Sequence, residues 1–476
     1  MPGPDGPGIV RSRPGGVRAR PAGRGIVVAM TLQFGTDGVR GLANVELTPE
    51  LALALGRAAA RVLGNDRWVV GRDTRRSGLL LQAAVSAGLA AEGAVVVDLG
   101  VIPTPAVAHR SAVEQVPGVV LSASHNAFAD NGVKFFAAGG RKLSDEVEAA
   151  LEAELAAVLA GAATSAAPPS GAAVGTLETD PAATATYVDH LTHDMLEGRR
   201  LDGLRIVIDT ANGAACATAP QVLQALGAEV TVLHAQPDGT NINAGCGSTH
   251  PGDLQQAVPQ RRAHLGLAFD GDADRVLAVD AEGQFVDGDQ IIGICAVDRR
   301  ERGLLPDDTV VVTVMTNLGF RLGMQEHGVK VIETNVGDRH VLEAMEGGGW
   351  SLGGEQSGHV IFRDLATTGD GLLTGLQLLD VVARTGRSLA DLAAATMTRL
   401  PQVLVNVAVA ERRPDITALV AADVAAAEAE LGDHGRVLIR PSGTEPLVRV
   451  MVEAPTHDQA QAVADRLAGA VGAASA

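Results

Sequence analysis

The chain has 476 residues and a formal charge of −18, with 57 glycines, three cysteines and few aromatic residues. That length holds about three or four domains, and the acidic balance argues against nucleic acid as a partner. Cys216, Cys246 and Cys295 form no CxxC pair, which suits a reducing, cytoplasmic setting, and no apolar run nears the roughly 20 residues of a membrane span.

Residues 1–29 are rich in Pro, Gly and Arg and lack periodicity, so a disordered extension is expected there. From residue 30 to 173, short apolar runs alternate with Ala/Leu-rich helical stretches, the pattern of an α/β unit. Helices are expected near Pro49–Leu63, Leu79–Glu92 and Ser144–Leu159, and strands near Trp68–Gly71, Ala94–Leu99 and Gly118–Leu121. A low-complexity link at 161–171 closes this unit. The second, 174–289, has a helix near Ala182–Leu196 and strands at Leu204–Ile208 and Leu265–Phe269. The third, 290–400, has strands at Thr309–Val314 and Val329–Glu333 and helices at Gly319–His327 and Gly371–Thr385. The last, 401–476, reads as strands Val403–Val409, Gly435–Arg440 and Leu447–Ala454 with a helix at Asp458–Val471.

Asp270, Asp272 and Asp274 follow the apolar strand Leu265–Phe269. In extended chain, alternate side chains point the same way, so three carboxylates would converge at the strand's C-terminal end. Such a cluster needs a cation, and all-oxygen ligation suits Mg²⁺. A calcium loop of the EF-hand kind is excluded, because Arg275 stands at the glycine position and Ala281 at the glutamate position. A solvated acidic turn is the remaining alternative.

Three further loops have the same flavour. Leu121-Ser-Ala-Ser-His-Asn126 exposes a serine after a strand, where α/β proteins place their chemistry. Arg440-Pro-Ser-Gly-Thr-Glu-Pro-Leu-Val-Arg449 combines glycine, hydroxyls and two arginines, as a phosphate clamp would. Gly353-Gly-Glu-Gln-Ser-Gly-His359 offers polar partners to sugar hydroxyls. Gly337-Asp-Arg-His340 and Gly35-Thr-Asp-Gly-Val-Arg40 each add an arginine beside glycine. Each loop alone also reads as an ordinary polar turn or surface loop, and the serine loop, which lacks the Gly-x-Ser-x-Gly elbow of a hydrolase, reads more readily as a turn than as a nucleophile site.

Together these motifs resemble the α-D-phosphohexomutase superfamily, and within it the bacterial branch acting on glucosamine phosphates. The likeness runs from about residue 33 to 470 and includes Asn241-Ile-Asn243, Cys246-Gly-Ser-Thr-His-Pro251, Met315-Thr-Asn-Leu-Gly319 and Thr367-Thr-Gly-Asp-Gly371. It implies an α/β fold of four domains around a central cleft, three α/β domains with mixed sheets plus a smaller C-terminal α+β domain. It also implies a phosphoserine at Ser124, with Ser122 the alternative, and Mg²⁺ held by Ser124, Asp270, Asp272 and Asp274. Glu355 and Ser357 would contact sugar hydroxyls. Arg440, Ser442, Gly443, Thr444 and Arg449 would bind the unreactive phosphate, and Arg40, Arg339 and His340 complete the implied substrate contacts. The sequence departs from the family pattern at Ala127 (usually proline), His340 and Cys216 (usually tyrosine), and a less rigid serine loop is expected from Ala127.

The implied reaction interconverts glucosamine 6-phosphate and glucosamine 1-phosphate through a bound sugar 1,6-bisphosphate, supplying UDP-N-acetylglucosamine for cell-wall synthesis. Arg275 and Lys134 would stabilise the transferring oxygens. His359 is the first candidate for the base, ahead of Lys134 and His125. Glucose or mannose phosphates as substrates, and a Mg²⁺-dependent sugar-phosphate phosphatase, are the competing activities. The expected partner is a small sugar phosphate, not nucleic acid or membrane, and the expected state is monomer or homodimer. A hinge is expected near residue 400.

Overall fold

The computed structural model describes residues 38–161, 167–411, 413–441 and 446–475. The expected extension at 1–29 lies outside them, as do Ser442, Gly443 and Thr444. Four sheets follow one another along the chain. In the first, the spatial order is Val39–Leu42, Asp130–Ala137, Gly118–Leu121, Arg67–Arg72, Val95–Val101 and Leu177–Thr179, with Arg141–Lys142 paired to the second of these. Gly118–Leu121, Arg67–Arg72 and Val95–Val101 are parallel neighbours joined through crossover helices, while Asp130–Ala137 runs antiparallel. The crossover helix Gly78–Ala91 lies against Pro49–Leu63, which starts at Pro49 behind the capping hydroxyl of Thr48.

The second sheet is ordered Phe285–Val286, Val276–Asp280, Leu265–Phe269, Arg205–Asp209, Glu229–Leu233, and the third Lys330–Thr334, Thr309–Thr313, Leu352–Gly354, Val360–Phe362. Both mix parallel and antiparallel pairs. The fourth has three antiparallel strands, Gln402–Ala408, Leu447–Glu453 and Arg436–Pro441, covered on one face by His457–Ser475. A continuous apolar core, including Val107, Tyr187, Phe269, Phe320 and Leu376, joins the first three units. The fourth keeps its own, around Val448, Val450, Val463 and Leu467.

The structure differs from expectation in several places. Thr104–Glu114 is a helix, although His109, Arg110 and Ser111 interrupt its apolar stripe; Pro105 in its first turn is the overlooked start signal. The segment after the serine loop, Asp130–Ala137, is a strand buried on both faces, which erases the alternation a strand normally shows. Gly337-Asp-Arg-His340 opens a helix, Asp338–Gly348. Leu177–Thr179 lies beyond the boundary expected at 173 yet pairs with Val95–Val101; all three residues are exposed, so no apolar pattern marked them.

Between the third and fourth units the contact is polar. Glu453, fully buried, accepts from Leu318 N at 2.9 Å and Asn317 Nδ2 at 3.2 Å and pairs with Arg436 at 3.1 Å. Arg436 also donates to Val314 O and Thr316 O, and Asn317 is bonded both ways to Leu400. This junction brackets the chain near residue 400, where the hinge was expected. Removing one partner of a buried ion pair typically costs about 3 kcal/mol or more. Glu453→Ala should therefore lower the urea midpoint of the C-terminal unit clearly, and an unchanged midpoint would show that the junction is held by something else.

Candidate active site

Strand Gly118–Leu121 is wholly buried, and the chain turns beyond it through Ser122 and Ala123 to Ser124. Ser122 Oγ donates to Asp73 Oδ2 at 2.6 Å and accepts from Ser124 N at 2.9 Å, so its hydroxyl is fully engaged. Ser124 sits at φ +51°, in the left-handed region that L-residues enter only when held there. Its hydroxyl donates to Asp270 Oδ2 at 2.6 Å and lies 3.3 Å from His125 Nδ1. The buried Arg75, paired with Asp73 at 2.9 Å, donates to Ser124 O, Asn126 O, Ala127 O and Asp130 O. These bonds restrain a loop that has Ala127 in place of a proline.

The aspartates do not lie in extended chain as expected. They occupy a tight turn between Leu265–Phe269 and the antiparallel Val276–Asp280, with Ala273 at φ +58° and Ala273 N bonded to Asp270 O. The turn still gathers one oxygen from each of Asp270, Asp272 and Asp274 within 4.8 Å of one another. Asp272 Oδ2 receives Thr104 Oγ1 and Lys134 Nζ, both at 2.7 Å. Lys134 Nζ and His359 Nδ1 each stand 3.7 Å from Asp274 Oδ2. Gly271 must be glycine, because a Cβ there would meet Ser124 O at 2.6 Å and Asn243 Nδ2 at 2.8 Å.

Burial, and then Asp274 and Asp272, push the Asp270 carboxyl well above its usual range. Burial also works against charge on Asp274, but Lys134, His359 and Arg275 outweigh it and hold that group well below. Oδ1 of Asp272 and of Asp274 are buried without a hydrogen-bond donor among the described residues. Orphaned carboxylate oxygens beside a carboxyl that resists ionisation fit a divalent cation.

His359 lies between Asp274 and Asp338, with Nε2 3.2 Å from Asp338 Oδ2. Burial lowers its pKa, yet Asp338 and Asp274 outweigh burial and leave it raised. His125 is shifted down by burial, Arg275 and Arg40. Its Nδ1 lies 3.1 Å from Arg275 Nη1. Glu355 Oε1 accepts from Gly337 N at 3.0 Å, while Ser357 Oγ has no hydrogen-bond partner among the described residues. Arg339 lines the same cleft as Lys134 and Asp274, but its guanidinium is already paired with Asp145 and Glu148 of the first unit. His340 is partly exposed, with Nδ1 3.7 Å from Glu343 Oε2 on its own helix. Arg440 and Arg449 are cross-strand neighbours lining a separate cleft with Asn406, Met315 and Val336. Asp73, Arg75, Thr104, Asn243 and Asp338 were not singled out from sequence as site residues. Asp73 and Arg75 had a usable signal, since they directly follow the strand Arg67–Arg72.

Residues 31–160, 185–283 and 287–400 match phosphoglucomutase/phosphomannomutase alpha/beta/alpha domains I, II and III, and 404–470 match its C-terminal domain. The chain belongs to the phosphoglucomutase/phosphomannomutase family. Among its relatives in this family, the phosphoglucosamine mutase of Saccharopolyspora erythraea is 59% identical over 93% of this chain and 100% of its own. That of Frankia alni is 58% identical over 94% and 99%. A phosphoglucomutase/phosphomannomutase family protein from Burkholderia thailandensis superposes with a TM-score of 0.78 at 26% identity, covering 94% of this chain and 98% of that one. The N-acetylphosphoglucosamine mutase of Aspergillus fumigatus, solved with GlcNAc-6P and magnesium, shares the fold at a TM-score of 0.65 and 20% identity, over 94% and 97% of the two chains. No helix among the described residues is long and apolar enough to cross a membrane.

Gly271→Ala should drive the serine loop and the aspartate turn apart. A displacement near 1 Å costs roughly a hundredfold in rate when reacting groups are pre-positioned. Steady-state turnover should therefore fall by about tenfold or more in a variant that keeps its near-UV circular dichroism. Full activity would show that the loop contact is dispensable.

Proposed function

We propose that the chain interconverts glucosamine 6-phosphate and glucosamine 1-phosphate, with Ser124 as the group that carries the phosphoryl. The observation that carries this reading is the 2.6 Å contact between Ser124 Oγ and Asp270, which puts one hydroxyl from the first unit onto the acidic turn of the second. The high identity to phosphoglucosamine mutases favours glucosamine phosphates over glucose or mannose phosphates.

Asp270, Asp272 and Asp274, with an oxygen on Ser124, would hold Mg²⁺. When bound, that ion neutralises negative charge on the phosphoryl oxygens and on the serine oxygen as it leaves. Phospho-Ser124 gives its phosphoryl to the free hydroxyl of the sugar phosphate. The phosphorus–serine oxygen bond breaks, a phosphorus–sugar oxygen bond forms, and the hydroxyl proton passes to a base. The resulting 1,6-bisphosphate turns over, and its other phosphate returns to Ser124. Lys134, near Asp274 Oδ2, and Arg275, near Asp274 Oδ1, supply positive charge to the transferring oxygens.

His359 is the proposed proton acceptor, with Asp338 beside Nε2 and Nδ1 turned to the acidic turn. A raised pKa makes the neutral ring a stronger base and its cation a donor for the return step. Glu355 and Ser357 are proposed to contact sugar hydroxyls, and Arg440 and Arg449 the phosphate that is not reacting. Arg339 is left to join the first and third units.

Incubating purified protein with glucosamine 1,6-bisphosphate and mapping phosphopeptides tests the reading. Phosphate is expected on Ser124, Ser124→Ala should take up none, and its mutase rate should fall by about a thousandfold or more. Phosphate on another residue would overturn the assignment, and inorganic phosphate as the main product would favour a phosphatase.

A further inference from the structure

Two side chains from different units converge on the same two carbonyl oxygens of the serine loop. Arg75, in the first unit, donates to Ser124 O at 2.9 Å and to Asn126 O at 2.8 Å. Asn243, in the second, donates through Nδ2 to Ser124 O at 2.8 Å and to Asn126 O at 3.0 Å. Both hydrogens of one amide nitrogen are thus engaged. The buried Asn243 is itself anchored, its backbone N–H bonded to Ala211 O at 2.9 Å, and its φ of +56° is one that Asn adopts more readily than most residues. Asn243 belongs to the unit that carries the aspartate turn, whose Gly271 packs against the same Ser124 carbonyl.

We infer that Asn243 is a positioning residue for phosphoryl transfer: it fixes the serine loop to the unit that holds the acidic turn, and so sets where Ser124 Oγ stands relative to Asp270. Arg75 shapes the loop within the first unit and cannot by itself relate it to the second. The Asn243 amide nitrogen bonds two backbone carbonyls of the loop and not Ser124 Oγ, so its removal should slow the step without weakening substrate binding. This role rests on the phosphoserine reading above.

The test uses the full-length chain with Mg²⁺, glucosamine 1-phosphate and a trace of glucosamine 1,6-bisphosphate. Asn243→Gly keeps a backbone suited to positive φ and removes the donor. Asn243→Asp keeps the shape and turns a donor into an acceptor facing two carbonyls. In both, kcat should fall about 10- to 100-fold, with KM within about threefold of the unchanged chain. Asn243→Gly should retain the thermal midpoint, so it serves if the aspartate variant does not fold. Unchanged kcat in Asn243→Gly, or a loss confined to KM or to the thermal midpoint, would overturn the role. If the unchanged chain neither accepts phosphate on Ser124 nor turns over, the phosphoserine reading falls, and this role with it. If the unchanged chain does both and the variants match it, only the role of Asn243 falls.

Discussion

Three carboxylates buried on one six-residue turn set the conditions for everything around them. Two unit charges 4.8 Å apart repel by about 3–4 kcal/mol at the effective dielectric found inside proteins. Three such pairs approach the whole stability of an ordinary domain, roughly 5–15 kcal/mol. The turn therefore persists only with positive charge or protons nearby. Lys134 comes from a strand of the first unit, Arg275 from the turn itself and His359 from the third unit. The serine hydroxyl reaches Asp270, whose ionisation burial and its two neighbouring carboxylates disfavour. A divalent cation would satisfy the same deficit with the oxygens that lack donors, Oδ1 of Asp272 and Asp274.

The architecture brings these groups together by repeating one device. In each of the first three units a loop leaves the C-terminal end of an interior strand: Ser122–Asn126 after Gly118–Leu121, Asp270–Arg275 after Leu265–Phe269, and Glu355–His359 after Leu352–Gly354. Open α/β sheets bind ligands at such ends. The continuous core through these units makes their relative placement stiff. Polar bonds across unit boundaries then set the fine geometry: Thr104 and Lys134 to Asp272, Arg339 to Asp145 and Glu148, and Asn243 to the serine loop. The fourth unit has a separate core and a hydrogen-bonded junction to the third, and it carries Arg440 and Arg449 on adjacent strands.

Much of this was legible in the residues. The helices Pro49–Leu63 and Gly371–Thr385 show clear starts and apolar faces, and the acidic triplet announced itself by spacing. The geometry inferred for that triplet was wrong in mechanism: a hairpin turn, not pleated strand, brings the oxygens together, because Ala273 takes a left-handed conformation that its identity does not signal. Helix Thr104–Glu114 was hidden by polar residues on its buried face, where Thr104 and Ser111 make hydrogen bonds. Arg75 was marked only by its place just after the strand Arg67–Arg72, and the roles of Arg75 and Asn243 in the site were hidden for another reason. Their partners are backbone carbonyls distant in sequence, and no local pattern encodes such contacts. The raised pKa of His359 likewise depends on Asp338, which only the fold places beside it.

The central claim is that Ser124 and the acidic turn share one divalent cation. Calorimetric titration of Mg²⁺ into the same preparation, first carrying phosphate on Ser124 and then stripped of it, tests this most directly. The account predicts at least about tenfold tighter binding to the phosphorylated form, since a phosphate oxygen adds charge to an oxygen ligand set. Equal affinity for the two forms would contradict it.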